Sequence, residues 1–208
     1  ISGIGPKTAI VLIDKGVPVG DENKNKVLEK FGKTTKKIKE GHAEILETLD
    51  LVDTKKAGEV SGSRFYYLKN ELVKLNLAII QFALDFLKKK NFILMQPPFM
   101  LRKEVLEGAT PLGTFEEAIY KIDNENLYLI GTAEHALNAY HSNEIINVEN
   151  PIRYAGISSC FRKEAGSHGK DTKGIFRVHQ FNKIEQFIYS KPEDSWKLHE
   201  EIIKNAEE

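Results

Sequence analysis

Residues 161–181 read FRKEAGSHGKDTKGIFRVHQF, a charged, glycine-containing segment whose two ends have β-strand character. Arginines and aromatic residues recur in it at regular offsets. A solvated loop does not need such regularity, and a hydrophobic core would not tolerate so much charge. We therefore interpret the segment as a loop that leads from a strand ending near Phe161 into a long strand. Charged and aromatic side chains that could bind a ligand lie at both ends of this loop.

The long strand, predicted over 175–190, has two unlike faces, because alternate residues of a strand share a face. Its even-numbered face is predicted to be buried and carries Phe176, Val178, Ile184 and Ile188, with Gln180, Asn182 and Gln186 among them. Its odd-numbered face carries Arg177, His179, Phe181, Lys183, Glu185 and Phe187. The pattern leaves two interpretations open, a solvated face with cross-strand ion pairs or a ligand platform. On such a platform an arginine would bind phosphate, a phenylalanine would stack on a base and a glutamate would bind an ammonium.

The composition is that of an ordinary globular protein of 208 residues. Lys plus Arg and Asp plus Glu each number 30, so the total charge does not indicate nucleic-acid binding driven by bulk electrostatics, although a local basic patch remains compatible with it. The single Cys160 excludes an internal disulfide and fits a reducing cytoplasm. No signal peptide and no apolar run of membrane-spanning length are visible.

The sequence predicts two parts. Residues 1–40, rich in Gly and Lys, look like a linker or the remnant of a preceding domain, and residues 41–208 look like an α+β domain with an antiparallel sheet flanked by helices. The chain begins with Ile1 and ends within a helical pattern, so we expect it to be a fragment.

Several elements of the second part are predicted by pattern. Residues 74–90 form an apolar helix without a broad polar face, which predicts burial in a core or at a subunit interface. A strand follows and stops at Pro97 and Pro98. The segment 127–141 reads as strand, Gly131 turn and helix, with the helix start marked by Thr132 and Glu134. IRYAGISSCF at 152–161 is a further strand, and a last helix begins near Pro192.

These residues resemble a known family. FRKEAGSHGKDTKGIFRVHQFNKIEQF at 161–187 resembles motif 2 of the class II aminoacyl-tRNA synthetases, in the form found in the seryl-tRNA synthetase family. LYLIGTAE at 127–134 resembles that family's serine-binding TxE loop, and ALDFLKKKNFILMQPPFM at 83–100 resembles motif 1. The stretches GVPVGDENKN, HAEILETLDLVD and VSGSRFYYLK also follow the family's order, so the resemblance runs from about residue 16 to the end.

The resemblance implies a class II catalytic fold and a set of site residues. For ATP it implies Arg162, Lys163, Glu164, Arg177, Val178 and Phe181, with Arg162 and Arg177 as the catalytic arginines on the α- and γ-phosphates. For serine it implies Thr132, Ala133, Glu134, Arg162 and Glu185. The implied reaction is serine–tRNA ligation through seryl-adenylate, with ATP, Mg²⁺, L-serine and tRNA(Ser), by a cytoplasmic homodimer that associates through residues 74–100 and has no membrane partner.

The sequence also departs from the family. Motif 3 and the acidic Mg²⁺ ligands are expected beyond the last residue, so no metal site is expected within the chain, and the tRNA-binding arm is expected before Ile1. A truncated, non-catalytic adenylate-binding paralogue therefore remains an alternative. SGIGPKTA at 2–9 resembles the loop of helix-hairpin-helix DNA-binding modules, although a linker explains it as well. We expect His135 to be structural or exposed and Cys160 to be a small buried residue.

Overall fold

The computed structural model describes residues 41–110, 117–164 and 175–208, so the predicted linker at 1–40 lies outside the described residues. The described residues fall into two compact units. The first contains residues 41–82 and 175–178, and the second contains 83–110, 117–164 and 179–208. The division thus lies inside the predicted catalytic domain 41–208.

The first unit consists of short helices and a two-stranded sheet. Its elements are α1 (His42–Thr48), β1 (Val52–Asp53), α2 (Thr54–Ser61), β2 (Tyr67–Leu68) and the first part of α3 (Glu71–Lys89). Strands β1 and β2 are antiparallel, with Val52 opposite Leu68. The Asp53 side chain accepts a hydrogen bond from the backbone N–H of Lys56 at 2.7 Å, which caps the start of α2.

Helix α3 is long and apolar but is not buried within the chain. Leu87 is its only buried residue, and three large apolar side chains stay exposed: Val73 at 39%, Leu77 at 59% and Phe82 at 43%. The first of the two predicted locations, a core within one subunit, is therefore wrong for most of the helix. The prediction of a subunit interface keeps its physical basis, because an apolar surface of this kind is stabilised by a partner.

The second unit is built on a three-stranded sheet of order β3 (Ile93–Met95), β6 (Ile152–Phe161) and β7 (Gln180–Tyr189). Strands β6 and β7 are antiparallel over ten residue pairs, from Ile152 opposite Tyr189 to Phe161 opposite Gln180. The sheet is antiparallel between β6 and β7, as predicted, and β3 adds a parallel edge beside β6. Strand β6 has the predicted bounds.

Strand β7 is shorter than predicted. It begins at Gln180, and residues 175–179 have a bent backbone. Arg177 and Val178 therefore do not continue the strand face that carries Phe181 and Glu185, and the prediction of one uninterrupted platform from residue 177 to 187 is wrong. The alternation holds from Gln180 onward.

The remaining elements cover the sheet and extend it. A separate antiparallel pair joins β4 (Met100–Arg102) to β5 (Leu127–Leu129), and α4 (Lys103–Ala109) follows β4 directly. Helix α5 (Ala133–Ala139) follows β5 across the predicted turn at Gly131. A 3-10 turn (Pro192–Asp194) leads into α6 (Ser195–Glu207).

Apolar clusters pack on both faces of the main sheet. On one face Leu87, Phe92 and Ala155 are buried against the partly buried Ile184 and Ile188. The prediction of a buried even-numbered face therefore holds only in part, because Phe176 is 43% exposed and Gln180 and Asn182 are exposed as well. On the other face three buried residues of a second cluster, Ala133, Leu137 and Tyr154, pack against Phe187 and Tyr189. Within the described residues, no helix is both long and apolar enough to cross a membrane.

Candidate active site

The site begins with a close approach of α5 to the β6–β7 pair. Gly156 of β6 lies opposite Glu185 of β7. A Cβ atom at residue 156 would lie 2.8 Å from Leu137 Cδ1 and 3.0 Å from Ala133 Cβ, so the glycine makes room for the start of α5. This packing brings Thr132, the residue that caps the helix, next to the strand.

Thr132 links the helix cap to Glu185. Its Oγ1 accepts a hydrogen bond from the backbone N–H of Glu134 at 3.2 Å and donates one to Glu185 Oε2 at 2.6 Å. Lys183 Nζ forms an ion pair with the same Oε2 atom. A half-buried carboxylate thus lies between a hydroxyl and an ammonium, an arrangement suited to binding the amino and hydroxyl groups of a small ligand.

Arg162 lies beside this carboxylate, at the end of β6. Its Nε donates to the Gly131 carbonyl at 3.1 Å, and its guanidinium lies 5.2 Å from the centre of the Phe181 ring. The backbone N–H of Arg162 donates to the His179 carbonyl at 2.9 Å, and Nδ1–H of His179 donates back to the Arg162 carbonyl at 2.8 Å. These bonds fix a cation and an aromatic ring side by side.

Two further residues of the predicted nucleotide site follow Arg162. Lys163 donates from its backbone N–H to the Ala118 carbonyl at 2.9 Å, and its ammonium lies 6.0 Å from the centre of the Tyr120 ring. Glu164 has a positive φ of 53°, the left-handed conformation in which a chain turns sharply. Burial raises the pKa of Tyr120, and the negative charge of Glu164 raises it further.

His135 is a neutral member of the cluster. Its Nδ1 is buried without a hydrogen-bond partner in the described structure. Burial lowers the pKa of His135, and the positive charges of Lys183 and Arg162 lower it further, against an opposing contribution from Glu185. The imidazole is therefore uncharged at neutral pH. It is more closely tied to the site than the predicted structural or exposed role suggests.

Cys160 is fully buried, as predicted. Burial raises the pKa of its thiol, so the thiolate form that acts as a nucleophile is disfavoured. The Ser158 hydroxyl, 3.7 Å from the sulfur, is buried as well. The Cys160 thiol is therefore not poised to act as a nucleophile.

The structure brings together four of the predicted residues: Thr132, Arg162, Phe181 and Glu185. Ala133 is fully buried in the cluster with Leu137, so only its backbone faces a ligand, and the Glu134 side chain is exposed. Arg177 is exposed and Val178 is buried, and both residues lie in the first unit.

Neither Lys183 nor His135 was predicted to take part in the site. A signal existed for both. Lys183 lies two residues before Glu185, and two residues is the period of a strand face. His135 lies three residues after Thr132, about one helical turn from the cap.

No group of three or more acidic, histidine or cysteine side chains in the described part of the chain is arranged to hold a metal ion.

The sequence is similar to class II tRNA synthetases. The class II core domain of the tRNA synthetases for G, H, P, S and T matches residues 115–208. The serine–tRNA ligase of Nitrosopumilus maritimus is 56% identical over 202 residues, which cover 95% of this chain and 48% of that protein. The serine–tRNA ligase of Thermococcus onnurineus is 53% identical over 208 residues, covering 93% and 46% of the two chains.

Two solved structures share the fold. The seryl-tRNA synthetase from Pyrococcus horikoshii, crystallised with ATP, has a TM-score of 0.77 at 52% identity and covers 90% of this chain and 43% of its own. The cytoplasmic serine–tRNA ligase from Naegleria fowleri, in complex with AMP, has a TM-score of 0.76 at 43% identity and covers 80% and 40%.

The chain spans about half the length of the curated relatives it matches. Over that span, identity above 50% to serine–tRNA ligases coincides with the family's catalytic fold and with the predicted Thr132, Arg162, Phe181 and Glu185 in one cluster. The chain is therefore a homologue of the serine–tRNA ligases over about half of their length, with the catalytic fold of the class II aminoacyl-tRNA synthetases.

Proposed function

We propose that this chain is the part of a serine–tRNA ligase that binds ATP and L-serine and joins them as seryl-adenylate, from which serine passes to tRNA(Ser). The single observation that carries the proposal is the contact between Thr132 and Glu185 beside Arg162 and Phe181. This contact supports an amino-acid site next to a nucleotide site.

Glu185 and Thr132 select the amino acid. The carboxylate of Glu185 accepts hydrogen bonds from the serine ammonium, and the Thr132–Glu185 pair leaves polar atoms for the serine hydroxyl. A site built around such atoms rejects an amino acid without the hydroxyl, because buried polar groups would then lose their partner. Glu134 and the backbone of Ala133 complete the loop at the helix start.

Arg162 and Phe181 hold the reacting groups of the nucleotide. The adenine stacks on the Phe181 ring, and the guanidinium of Arg162 neutralises the serine carboxylate and the α-phosphate. Lys163 and Glu164 contact the nucleotide from the segment after β6. For Arg177 and Val178, at the far end of motif 2, the proposal rests on the sequence resemblance, which implies that Arg177 binds the γ-phosphate.

The proposed reaction needs no covalent intermediate with the protein. An oxygen of the serine carboxylate attacks the α-phosphorus in line and forms a new P–O bond, while the bond to the leaving pyrophosphate breaks and its electron pair departs with pyrophosphate. The protein contributes by orienting the reactants and by stabilising negative charge on the phosphate. Magnesium, which the family implies, would shield the phosphates of ATP.

A thermal melt of the 208-residue chain tests the proposal. A non-hydrolysable seryl-adenylate analogue, added far above its dissociation constant, should raise the melting temperature, since a ligand that binds only the folded state stabilises it. The threonyl and alanyl analogues should raise it much less. Equal stabilisation by all three compounds, or none by the seryl compound, would contradict the proposal.

A pair of variants sharpens the melt. Glu185→Gln should lose most of the stabilisation by the seryl analogue, because it removes the negative charge that binds the ammonium. Glu193→Gln serves as the matched control, since Glu193 is an exposed carboxylate in the turn before α6, outside the site. Equal responses of the two variants would show that Glu185 has another role.

We also propose that residues 74–100 form a homodimer interface. The supporting observation is that this range contains large apolar side chains that are exposed, among them Leu77 at 59%, Phe82 at 43%, Ile93 at 55% and Met100 at 48%. In sedimentation velocity the chain should be a dimer, and Leu77→Glu should convert it into a monomer by placing a charge in the interface. A monomeric wild-type chain would contradict the proposal.

We place the parent protein in the cytoplasm. The solved Naegleria fowleri relative is described as cytoplasmic, which supports the placement. Fractionation of cells that produce the protein should find it with cytoplasmic markers, and recovery in the membrane fraction would contradict it.

A further inference from the structure

The carboxylate assigned to the substrate ammonium already binds an ammonium of the chain itself. Lys183 Nζ and Thr132 Oγ1 both bind Oε2 of Glu185. Lys183 and Glu185 lie two residues apart on β7, so their side chains share a face of the sheet. Both side chains are about one fifth exposed, at 21% and 22%.

The ion pair has a clear physical role when no ligand is present. A carboxylate that is largely removed from water costs free energy unless it has a partner, and Lys183 supplies that partner. The lysine ammonium is compact and carries three donors on a flexible stem, so it imitates the α-ammonium of a free amino acid.

The same pair is easily exchanged. Breaking the pair costs little when an equivalent pair replaces it, because the Glu185 carboxylate then exchanges one ammonium partner for another. Arg162 is held differently, because the Gly131 carbonyl and the Phe181 ring fix it from two sides. Of these two cations, Lys183 is the one whose position depends on Glu185.

We infer that Lys183 is a positioning residue that keeps the Glu185 carboxylate oriented toward Thr132. When the amino acid binds, its α-ammonium displaces Lys183 from this carboxylate. The inference rests on the proposed function. Lys183 and the ligand ammonium compete for one carboxylate, so part of the ligand's binding energy is spent on displacing Lys183. After the exchange, the displaced ammonium lies near the anionic end of the ligand, where its charge is useful.

Isothermal titration calorimetry on the whole 208-residue chain tests the exchange with two ligands. One is the sulfamoyl analogue of seryl-adenylate, and the other is the same compound without its amino group. The dissociation constant of the compound without the amino group, divided by that of the complete analogue, measures how much the ammonium contributes to binding. In Lys183→Met this ratio should increase about fivefold, because the ammonium no longer displaces a partner of Glu185 and the ligand without it leaves that carboxylate unpaired.

Three further variants isolate the effect. Lys183→Arg keeps a cation for Glu185 and should keep the wild-type ratio. Lys191→Met removes one positive charge just beyond the end of β7 and should also keep it. In the Glu185→Gln background, Lys183→Met should no longer change the ratio, since coupling requires both partners. Lys183→Gln replaces Lys183→Met if the apolar side chain prevents folding.

The outcomes separate the two proposals. If both analogues bind but Lys183→Met leaves their ratio unchanged, or weakens both equally, Lys183 has only a structural role and the exchange is wrong while the proposed function stands. If the wild-type chain binds neither analogue, the proposed function of this chain fails, and the exchange fails with it.

Discussion

The two faces of the β6–β7 pair use polar residues in opposite ways. On the face toward α6, Arg153 makes two hydrogen bonds to the Glu201 carboxylate, from Nε at 3.0 Å and from Nη2 at 3.1 Å. Gln186 accepts a hydrogen bond from Asn205 Nδ2 at 2.9 Å and donates one to the Ile202 carbonyl at 3.2 Å. Each of these polar groups has a partner on the neighbouring helix.

On the face toward α5 the hydrogen bonding is unevenly distributed. Oε2 of Glu185 accepts a hydrogen bond from Thr132 and also pairs with the Lys183 ammonium, while the buried Nδ1 of His135 has no hydrogen-bond partner in the described structure. A polar group that serves the fold is satisfied within the chain, whereas a group that serves a ligand keeps capacity for it. The difference between the faces therefore separates a structural network from a binding site.

The largest expected effect tests the packing that creates the α5 face. Gly156→Ala places a Cβ 2.8 Å from Leu137 Cδ1, and we expect a loss of about 1–3 kcal/mol of unfolding free energy from overpacking. Chemical denaturation measures it. Gly108→Ala in α4 is the control, because a Cβ there has no neighbour within 4 Å, and it should be neutral or stabilising. Equal effects at the two glycines would contradict this account of the close approach.

A smaller loss is expected on the α6 face. Glu201→Gln removes the charge that pairs with Arg153, and the free energy of unfolding should fall by about 1 kcal/mol because the pair is only partly buried. Its neighbour Glu200, exposed on the same helix, supplies the control variant Glu200→Gln. Ligand affinity should be the same in both variants. A change in affinity without a change in stability would place Arg153 in the site and remove the distinction between the faces.

The smallest effect concerns the pH dependence of stability. The pKa of His135 is lowered in the folded chain, so the unfolded chain binds a proton more readily as the pH falls through the ordinary histidine value. Stability should therefore fall from pH 7.5 toward pH 5, and His135→Gln should flatten this decline by roughly 1 kcal/mol or less.

His199→Gln is the matched control for the pH series, since His199 lies exposed on α6 beside Trp196. Thermal melts across the pH range make the measurement. If the control flattens the curve as much as His135→Gln does, the burial of His135 is not the cause.

Much of the fold could be predicted because local signals are strong. Strand β6 has its predicted bounds, and Thr132 caps α5 where the sequence placed a helix start. The start of β7 could not be predicted. Residues 175–179 continue the alternation of a strand, but a strand also needs a neighbouring strand to pair with. Because β6 ends at Phe161 opposite Gln180, the β6–β7 ladder begins at Gln180 and not at residue 175. The sequence left open whether α3 lies in a core or at a subunit interface, because an apolar pattern does not specify its partner, and in the structure Leu87 is the one buried residue of this helix.

Periodicity, capping and motif spacing are local properties of the chain, so they were sufficient to predict the family resemblance, the order of the elements and the residue types at the site. The contact of Thr132 with Glu185, 53 residues away, and the binding of Lys183 to the same oxygen became visible in the folded chain. Those contacts depend on the register of β6 against β7 and on the close approach of α5 at Gly156. Register and packing arise between distant segments, so no local pattern encodes them.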